Sequence, residues 1–371
     1  MPVTDDYIER KLAKITDYET LLPHVQQFTD PYTLFKGGYH ALICGITGAG
    51  KSTLLLTLLK KMCDLGYTVL ARDDGGLESM YLLPYVPIRF WVPKGCELKL
   101  KTEYKHDIAI YDPSKPMEIM ERVFEYPFNL VIFDAYSIDP GLSAKFWADM
   151  LKTLIFKCMQ TSRKDKRKLI LSMDELNDII QPKGFELTKR HASVRSLLEY
   201  NIRKLRKHEV TLIATTHRFT QLGISARSQF SYIFLKRMYG WDAWDFLSKS
   251  LATSNNKTFW AILKDVTSMD RQYFYMFDPW NRFDRYEFAD INRPEVDYEL
   301  IGYLTEKHKT KDEQVWKPRV VRLVEELNKL GYSYRKLGPL LDMSEANLRS
   351  IITEAEERET GDSEEPIQAV T

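Results

Sequence analysis

A glycine-rich segment around residue 45 is the feature that most constrains how this chain can fold. Gly45, Gly50, Lys51 and Ser52 fill the pattern GxxxxGK[ST] within the sequence HALICGITGAGKSTLLLTLLKKM. The apolar run before the pattern is typical of a buried strand, and the residues after it have the apolar spacing of a helix. A loop that wraps an anion at the start of a helix belongs in an α/β fold with a parallel sheet.

The composition of this loop predicts a nucleotide site. Glycines let backbone N–H groups surround phosphate oxygens, Lys51 would reach the β- and γ-phosphates, and Ser52 would ligate Mg²⁺. The alternative, a flexible glycine loop before a helix that happens to begin with Lys-Ser, is disfavoured by the order of strand, loop and helix. We therefore expect ATP and Mg²⁺ as bound groups, and the expected nucleotide-binding residues are Gly45, Ile46, Thr47, Gly48, Ala49, Gly50, Lys51, Ser52 and Thr53.

Short apolar runs recur along the chain and predict its core. They do not alternate with polar residues, and segments with helical periodicity, such as Lys51–Asp64 and Ser143–Thr161, separate them. This pattern indicates a mainly parallel sheet flanked by helices. The expected strands are His40–Cys44, Tyr67–Ala71, Asp107–Tyr111, Asn129–Asp134, Lys168–Met173, Val210–Thr216 and Ser231–Lys236.

Changes of composition divide the chain into successive segments. Within the core domain, two aromatic-rich runs at Lys257–Asp278, KTFWAILKDV and RQYFYMFD, suggest a hairpin at the edge of the sheet. The expected order is a helical arm at 1–37, the α/β domain at 38–290, a linker at 291–315, a small all-α module at 316–357 and an acidic, disordered tail at 358–371.

Two of the predicted strands end in an acid. NLVIFD ends in Asp134 followed by Ala135, whereas KLILSMDE ends in Asp174 followed by Glu175. Only the second strand supplies both roles that hydrolysis needs, because Asp174 would orient water around the metal and Glu175 would polarise the attacking water. Two alternatives stay open: Asp134 could be the metal acid, or the Asp174–Glu175 pair could merely cap the next helix. The paired acids favour a hydrolase over a kinase, which needs an acceptor site and no water activator.

The next strand ends in polar residues. The run VTLIATTHRF places Thr216, His217 and Arg218 beside the expected γ-phosphate. A polar side chain there can respond to the presence of the phosphate, so His217 is a candidate sensor with Lys51, Asp174 and Glu175 as the other catalytic candidates. The alternative is that His217 is an ordinary hydrogen-bonded residue at a strand end.

The order of these motifs resembles the FtsK–HerA superfamily of DNA-pumping ATPases, which includes viral genome-packaging ATPases. The blocks GITGAGKST, LILSMDE and YNIRKLRKHEVTLIATTHR carry the resemblance, which covers residues 38–240. His217 stands where the superfamily usually has a glutamine. The resemblance implies a RecA/ASCE-like P-loop NTPase fold and a homo-oligomeric ring, usually a hexamer, in which an arginine of one subunit completes the ATP site of its neighbour. Candidates for that arginine finger are Arg190, Arg195, Arg218 and Arg227.

The net charge of +1 excludes a protein held to nucleic acid by bulk positive charge. The charge is uneven, however, because 354–365 contain seven acids and one Arg, 366–371 contain no charged residue, and 1–353 therefore carry +7. Local basic clusters at Lys189–His208 and Thr161–Lys168 could line a ring's pore and contact the phosphates of double-stranded DNA. The alternative is that they are solvated surfaces. Candidate DNA contacts in the first cluster are Arg203, Lys204, Arg206 and Lys207.

The C-terminal module has the rhythm of a helix-turn-helix. The sequence VVRLVEELNKLGYSYRKLGPLLDMSEANLRSIITEAEE predicts a helix ending at Gly331 and helices capped by Ser333 and Ser344. It resembles the small DNA-binding domains of recombinases and regulators, with Asn347 and Arg349 as candidate DNA contacts. A protein-docking module is the alternative, since an acid at position 345 is unexpected against phosphates.

Two functions account for this pattern. The first is an ATP-hydrolysing, ring-forming translocase that packages or pumps double-stranded DNA for a virus or mobile element, recruited by a capsid or another protein. The alternative is an ATP-dependent DNA-binding switch, such as a regulator or partition factor. No apolar run reaches the roughly 20 residues that span a bilayer, and the N-terminus lacks the pattern of a signal peptide, so we expect a cytoplasmic protein, in the host cytoplasm if viral.

Overall fold

The computed structural model describes residues 4–304 except 17, 74, 138, 161–167, 181–188, 220–221, 223–226, 252–256 and 281. The expected helix-turn-helix module and acidic tail lie outside the described residues, as do Asn347, Arg349 and most of the basic cluster at Thr161–Lys168. The module, the tail and these candidate DNA contacts therefore stay predictions.

The strands in the described part of the chain are short. Five of them are buried along their whole length, which is the pattern expected where helices cover both faces of a sheet. They are β1 Val25–Gln27, β2 Ala41–Cys44, β3 Thr68–Arg72, β4 Ile88–Pro93, β5 Glu97–Lys101, β6 His106–Tyr111, β7 Phe128–Val131, β8 Leu169–Met173, β9 Val210–Thr216, β10 Tyr232–Leu235, β11 Tyr273–Phe277, β12 Phe283–Glu287 and β13 Asp297–Ile301.

α-Helices connect many, but not all, of these strands. The expected N-terminal helix is present, and the Oγ1 of Thr4 caps it by accepting a hydrogen bond from the backbone N–H of Tyr7. The helices are α1 Asp5–Leu12, α2 Tyr32–Phe35, α3 Lys51–Asp64, α4 Met117–Arg122, α5 Pro140–Gln160, α6 Lys189–Lys207, α7 Gly240–Ser250 and α8 Lys257–Ser268.

Of the described strands, eleven form one sheet in the order β1-β12-β11-β10-β2-β9-β8-β3-β7-β4-β6. Every neighbouring pair from β10 to β6 is parallel. β11 and β12 extend one edge as an antiparallel pair, and β5 and β13 form a separate two-stranded sheet. The predicted fold class, a mainly parallel sheet flanked by helices, is confirmed.

Two hydrophobic cores lie on opposite faces of the sheet. Successive residues of β2 alternate between them, with Leu42 and Cys44 in one core and Ala41 and Ile43 in the other. The first core also contains the apolar side of α5 and α6, and the second contains the apolar side of α3. The large sheet is therefore covered by helices on both faces.

The hairpin expected at Lys257–Asp278 is wrong in its first half. Phe259, Ile262, Leu263 and Val266 are all buried, and their spacing is that of one face of a helix, so KTFWAILKDV forms α8. The hairpin lies one element later, where β11 pairs with β12. The domain also continues past residue 290, because β13 pairs with β5.

The described residues show two further features. Among the helices that the structure describes, none is long and apolar enough to cross a membrane. The four cysteines are free, and burial raises the pKa of Cys63 to about 12 and that of Cys158 to about 11, which disfavours the reactive thiolate.

Candidate active site

The sheet order brings the predicted motifs to one edge. β2, β9 and β8 are neighbours and run parallel, so their carboxyl ends meet at the same edge of the sheet. The glycine loop follows β2, Asp174 and Glu175 follow β8, and His217 follows β9. Because β9 lies between the other two strands, His217 stands between the glycine loop and the acidic pair.

The loop between β2 and α3 has the conformation that its glycines allow. Gly48 and Gly50 have φ values of 75° and 85°, in the left-handed region that favours glycine, and Lys51 begins α3 directly after Gly50. The loop also leaves no room for a side chain at Gly50, because an added Cβ would lie 2.9 Å from the backbone O of Arg271. This strand, loop and helix, set in a parallel sheet, decide the fold. The chain has a P-loop NTPase fold.

Neighbouring strands hold the P-loop in place. The N–H of Gly45 donates to the carbonyl of Thr216 at 3.2 Å, and the N–H of Ile46 donates to the carbonyl of Arg237 at 2.9 Å. Below the loop lies Lys236, which is fully buried and donates to the carbonyls of Arg271 and Tyr273. Burial lowers the pKa of Lys236 to about 7, against the opposing effect of Asp290. Lys236 is not recognisable as a site residue in the sequence, because its strand shows only an apolar run with a basic end.

Three predicted catalytic side chains meet above the P-loop. Oε1 of Glu175 lies 3.4 Å from Nζ of Lys51 and 3.2 Å from Nε2 of His217. Nδ1 of His217 lies 3.2 Å from Nζ of Lys51 and 3.5 Å from Oγ1 of Thr47. The structure therefore brings together residues from α3 and from the turns after β8 and β9, and two of them, Lys51 and His217, are 166 positions apart along the chain.

The protonation of this group follows from its burial. Burial raises the pKa of Glu175 to about 7, Lys51 partly offsets this, and Asp174 reinforces it. Burial, and then the charge of Lys51, lower the pKa of His217, so the imidazole is neutral at pH 7. Since an ammonium can only donate, Nδ1 of His217 accepts from Lys51, and Nε2 carries the proton and donates to Glu175.

Asp174 faces the start of α3 and is suited to a metal. Its side chain is almost buried, accepts a hydrogen bond from Oγ1 of Thr215, and lines a small cavity together with Ser52. A hydroxyl and a carboxylate are oxygen ligands of the kind that Mg²⁺ prefers, so this pair fits the ion. In the described part of the chain there is no cluster of three or more His, Cys, Asp or Glu side chains able to hold a metal, so water and phosphate oxygens would complete the shell.

Asp134, the alternative metal acid, has other partners. Its carboxylate accepts from Nε of Arg72 at 2.8 Å, from Nε1 of Trp147 at 3.0 Å and from Oγ of Ser143. It also lies outside the cavity that Ser52 and Asp174 share. Asp134 is therefore a structural acid, and Asp174 is the better candidate for the metal.

The candidate arginine fingers differ in their surroundings. Arg218 is half exposed, with its Nε 3.5 Å from Oδ2 of Asp242. The guanidinium of Arg227 lies 4.8 Å from the ring centre of Phe219. Arg190 and Arg195 lie in the first two turns of α6. An arginine finger acts on the ATP site of a neighbouring subunit, so the contacts within one chain do not distinguish the four arginines. Their role as fingers stays a prediction.

The candidate DNA contacts on α6 lie far from the P-loop. α6 ends at Lys207, just before β9 begins, which places its basic end at the amino edge of the parallel strands. Arg203, Arg206 and Lys207 are exposed there, and Lys204 is half-buried. Arg206 packs over the ring of Tyr39 at 4.0 Å and Lys204 over that of Tyr200 at 4.2 Å. This basic surface and the P-loop are therefore at opposite edges of the sheet.

Comparisons with known proteins give only distant likenesses. No family model matches the chain, and no curated protein does. Among solved structures, it is similar to the genome packaging NTPase B204 of Sulfolobus turreted icosahedral virus 2 in complex with ATPγS, at 12% identity and a TM-score of 0.44 over 68% of this chain and 98% of that chain.

Two further solved structures are similar to the chain at the same low level of identity. The bacterial conjugative coupling protein TrwB is 12% identical, with a TM-score of 0.46 over 78% of this chain and 94% of that chain. VirB4 of Thermoanaerobacter pseudethanolicus is 10% identical, with a TM-score of 0.45 over 68% and 90%. Every TM-score is below 0.5, so the geometry of the site carries the functional proposal.

Proposed function

We propose that this protein is an ATPase that uses ATP hydrolysis to move double-stranded DNA. The observation that carries the proposal is the meeting of Lys51, Glu175 and His217 at the P-loop, within 3.5 Å of one another. A phosphate-binding loop, a carboxylate and a neutral imidazole in contact are the groups that activation of water beside a γ-phosphate requires.

Each of these groups has a separate role in hydrolysis. The N–H groups of the loop 45–50 and the ammonium of Lys51 bind the phosphates and hold the γ-phosphate toward β9. The Glu175 carboxylate accepts a proton from the attacking water, and His217 contacts the transferred phosphate and responds to its loss. Mg²⁺, held by Ser52 and through water by Asp174, would neutralise charge on the β- and γ-phosphates.

Two observations support DNA as the cargo: the positive charge at the end of α6 and the resemblance of the motif order to DNA-pumping ATPases. The exposed basic end of α6 can contact phosphates without reading bases, and six copies in a ring would line a pore with it. The order of motifs in this sequence, which resembles the DNA-pumping ATPases of the FtsK–HerA superfamily, supports DNA as the cargo. We propose a homo-oligomeric ring, with an arginine finger supplied between subunits and a capsid or another protein as recruiter.

Replacing Glu175 by Gln tests the catalytic assignment. We expect Glu175→Gln to bind ATP normally but to lose at least about 100-fold in the rate of hydrolysis, because the amide cannot accept the proton of water. ATP binding by calorimetry and phosphate release, with and without duplex DNA, would measure the two steps. Glu299→Gln is the matched control, since Glu299 is an exposed acid on β13.

The same assay separates the two functions. A translocase should hydrolyse ATP faster when duplex DNA is added, and Glu175→Gln should form rings in ATP that negative-stain microscopy can see. Slow hydrolysis that DNA does not change, together with a monomer in ATP, would contradict the translocase and favour the ATP-dependent switch. Full activity of Glu175→Gln would show that another group activates the water.

A further inference from the structure

Arg72 is a charged side chain in the core beside the candidate active site. It is the last residue of β3, and its side chain is only 3% exposed. β3 lies between β8 and β7, so Arg72 stands between the two acidic strand ends. Because a guanidinium is costly to bury without partners, its contacts identify what it does there.

Arg72 joins these two strand ends. On one side its Nε donates to Oδ2 of Asp134 at 2.8 Å. On the other side its Nη1 donates to the carbonyl of Asp174 at 2.6 Å and to the carbonyl of Glu175 at 3.2 Å. The two carbonyls belong to the peptide groups before and after the Cα of Glu175. One guanidinium therefore holds both peptide planes that flank the candidate general base.

The backbone of Glu175 needs such support. Its φ of 44° and ψ of 60° place its backbone in the left-handed region, which residues other than glycine adopt at an energetic cost. In this conformation the carboxylate reaches Lys51 and His217. The N–H of Glu175 is also held, since it donates to Oγ1 of Thr215 at 2.9 Å. Relaxation of the turn would rotate the carboxylate away from the P-loop.

Asp134 fixes the other end of the guanidinium. Nε1 of Trp147 and Oγ of Ser143, both on the long helix α5, donate to its carboxylate, so Asp134 cannot follow Arg72 if the turn moves. We propose that Arg72, anchored by Asp134, is a positioning residue that holds Glu175 in its active conformation. This inference rests on the proposed ATPase function, and it gives a role to the acid at the end of β7, which hydrolysis itself does not use.

Arg72→Lys tests the proposal most sharply. Lysine keeps the charge that Asp134 requires, but its single nitrogen cannot span Asp134 and both carbonyls. We expect kcat to fall by about 10- to 100-fold, the effect of a misplaced catalytic group. The dissociation constant for ATP should change by less than about twofold, because the hydrogen bonds of Arg72 described above go to Asp134 and to the turn after β8, and Lys51 and the N–H groups of the loop 45–50 bind the phosphates. An equal loss in ATP affinity and kcat would overturn the proposal.

Arg89→Lys is the matched control. Arg89 on β4 has a side chain that is 5% exposed and pairs with Asp107 and Glu125, away from the P-loop. If loss of a buried arginine simply loosens the domain, both variants should lower the melting temperature and kcat alike. The proposal predicts that Arg89→Lys lowers the melting temperature but leaves kcat unchanged.

A double-mutant cycle tests whether Arg72 acts through Glu175. Adding Arg72→Lys to Glu175→Gln should leave the residual rate unchanged, since the group that Arg72 positions is already inactive. If Arg72→Lys lowers kcat in the Glu175→Gln protein by the same factor as in the wild type, the proposal is overturned. Arg72 would then act through a group other than Glu175.

Crystal structures of the wild type and of Arg72→Lys give a readout that does not depend on activity. The proposal predicts that Glu175 leaves the left-handed region only in the variant; an unchanged φ would overturn it. If the wild type does not hydrolyse ATP, the proposed function fails, and this structural comparison still decides whether Arg72 holds the turn.

Discussion

At the scale of single residues, His40 couples the fold to pH. The imidazole is buried, with Nε2 2.8 Å from the carbonyl of Ile202, and its Nδ1 accepts from the N–H of Leu212 at 3.0 Å. Burial, together with the charge of Arg206, lowers the pKa of His40 from 6.5 to about 4, although the hydrogen bond to Ile202 opposes this shift. A protonated imidazole would have no acceptor for its second N–H, because Leu212 offers a donor.

The sign of the effect on stability follows from that shift. Between pH 6.5 and about 4 the unfolded chain binds the proton and the folded chain does not, so the free energy of unfolding rises with pH across this window. The full effect of His40 is about 3 kcal/mol. We expect His40→Gln to unfold in less urea than the wild type at pH 7.5 but to lose less stability between pH 7.5 and 5. His24→Gln, at an exposed histidine, should keep the wild-type dependence, and an unchanged slope in His40→Gln would contradict the assignment.

The catalytic candidates divide into residues that a pattern predicts and residues that only the fold reveals. Each of the three main candidates, Lys51, Glu175 and His217, comes shortly after a buried strand in the sequence. Parallel pairing of those three strands brings the residues to one edge of the sheet. Arg72 and Lys236 also end or follow strands, but a single basic residue there has no partner visible in the sequence. Their roles depend on carbonyl groups far away along the chain, which only the tertiary structure brings near.

At the scale of elements, the P-loop is shaped by what packs against it. Gly45 does not have a positive φ, yet a Cβ there would lie 2.7 Å from Cβ of Lys236 and 3.1 Å from the carbonyl of Arg237. Both atoms belong to the region after β10 that also binds the N–H of Ile46. The glycine at position 45 is therefore required by close packing and not by backbone conformation.

Gly45→Ala should consequently displace the loop. We expect ATP affinity to fall by about 10-fold or more, because overpacking at this contact must move either the loop or the strand below it. Gly66→Ala is the matched control: Gly66 has a φ of 79° but no neighbour within 4 Å of an added Cβ, so it should cost stability without changing ATP affinity. Titration with a fluorescent ATP analogue measures both variants. Normal affinity in a folded Gly45→Ala protein would show that the contact is not needed.

The elements themselves were predictable where a run of apolar residues had clear limits. α3 begins and ends where the sequence predicts, and so does β9. β4 was missed because IRFWVP lies between prolines and carries an arginine, although Arg89 is neutralised by Asp107 and Glu125 once the chain has folded. α8 was misread because its aromatic residues favour strands, while its buried positions have helical spacing.

At the scale of the whole molecule, β9 connects the two edges of the sheet that the proposed function uses. It begins three residues after the basic end of α6 and finishes directly before His217, with seven residues between the edges, or about 23 Å. All seven are buried, and β9 pairs with β2 on one side and β8 on the other. One strand in the centre of the sheet thus joins the proposed DNA contact at the amino edge to the proposed phosphate contact at the carboxyl edge.

The charge of the sequence predicts that the acidic tail competes with DNA for that basic surface. Residues 354–365 carry −6, whereas residues 1–353 carry +7, so the near-neutral whole is the sum of two parts of opposite sign. Because like-charged acids repel DNA and attract the basic surface, deletion of 354–371 should tighten binding to duplex DNA. The difference between the full chain and the truncated chain should shrink as salt is raised, since salt screens contacts between exposed charges.

Fluorescence anisotropy with a random-sequence duplex at several salt concentrations measures this difference. The matched control keeps the length of the tail and replaces its seven acids by the corresponding amides. If charge is the cause, this variant should bind DNA as tightly as the truncated chain, whereas an effect of tail bulk would leave it equal to the wild type. Equal affinities for all three proteins at low salt would show that the tail does not compete with DNA. The basic end of α6 would then be open to DNA whether or not the tail is present.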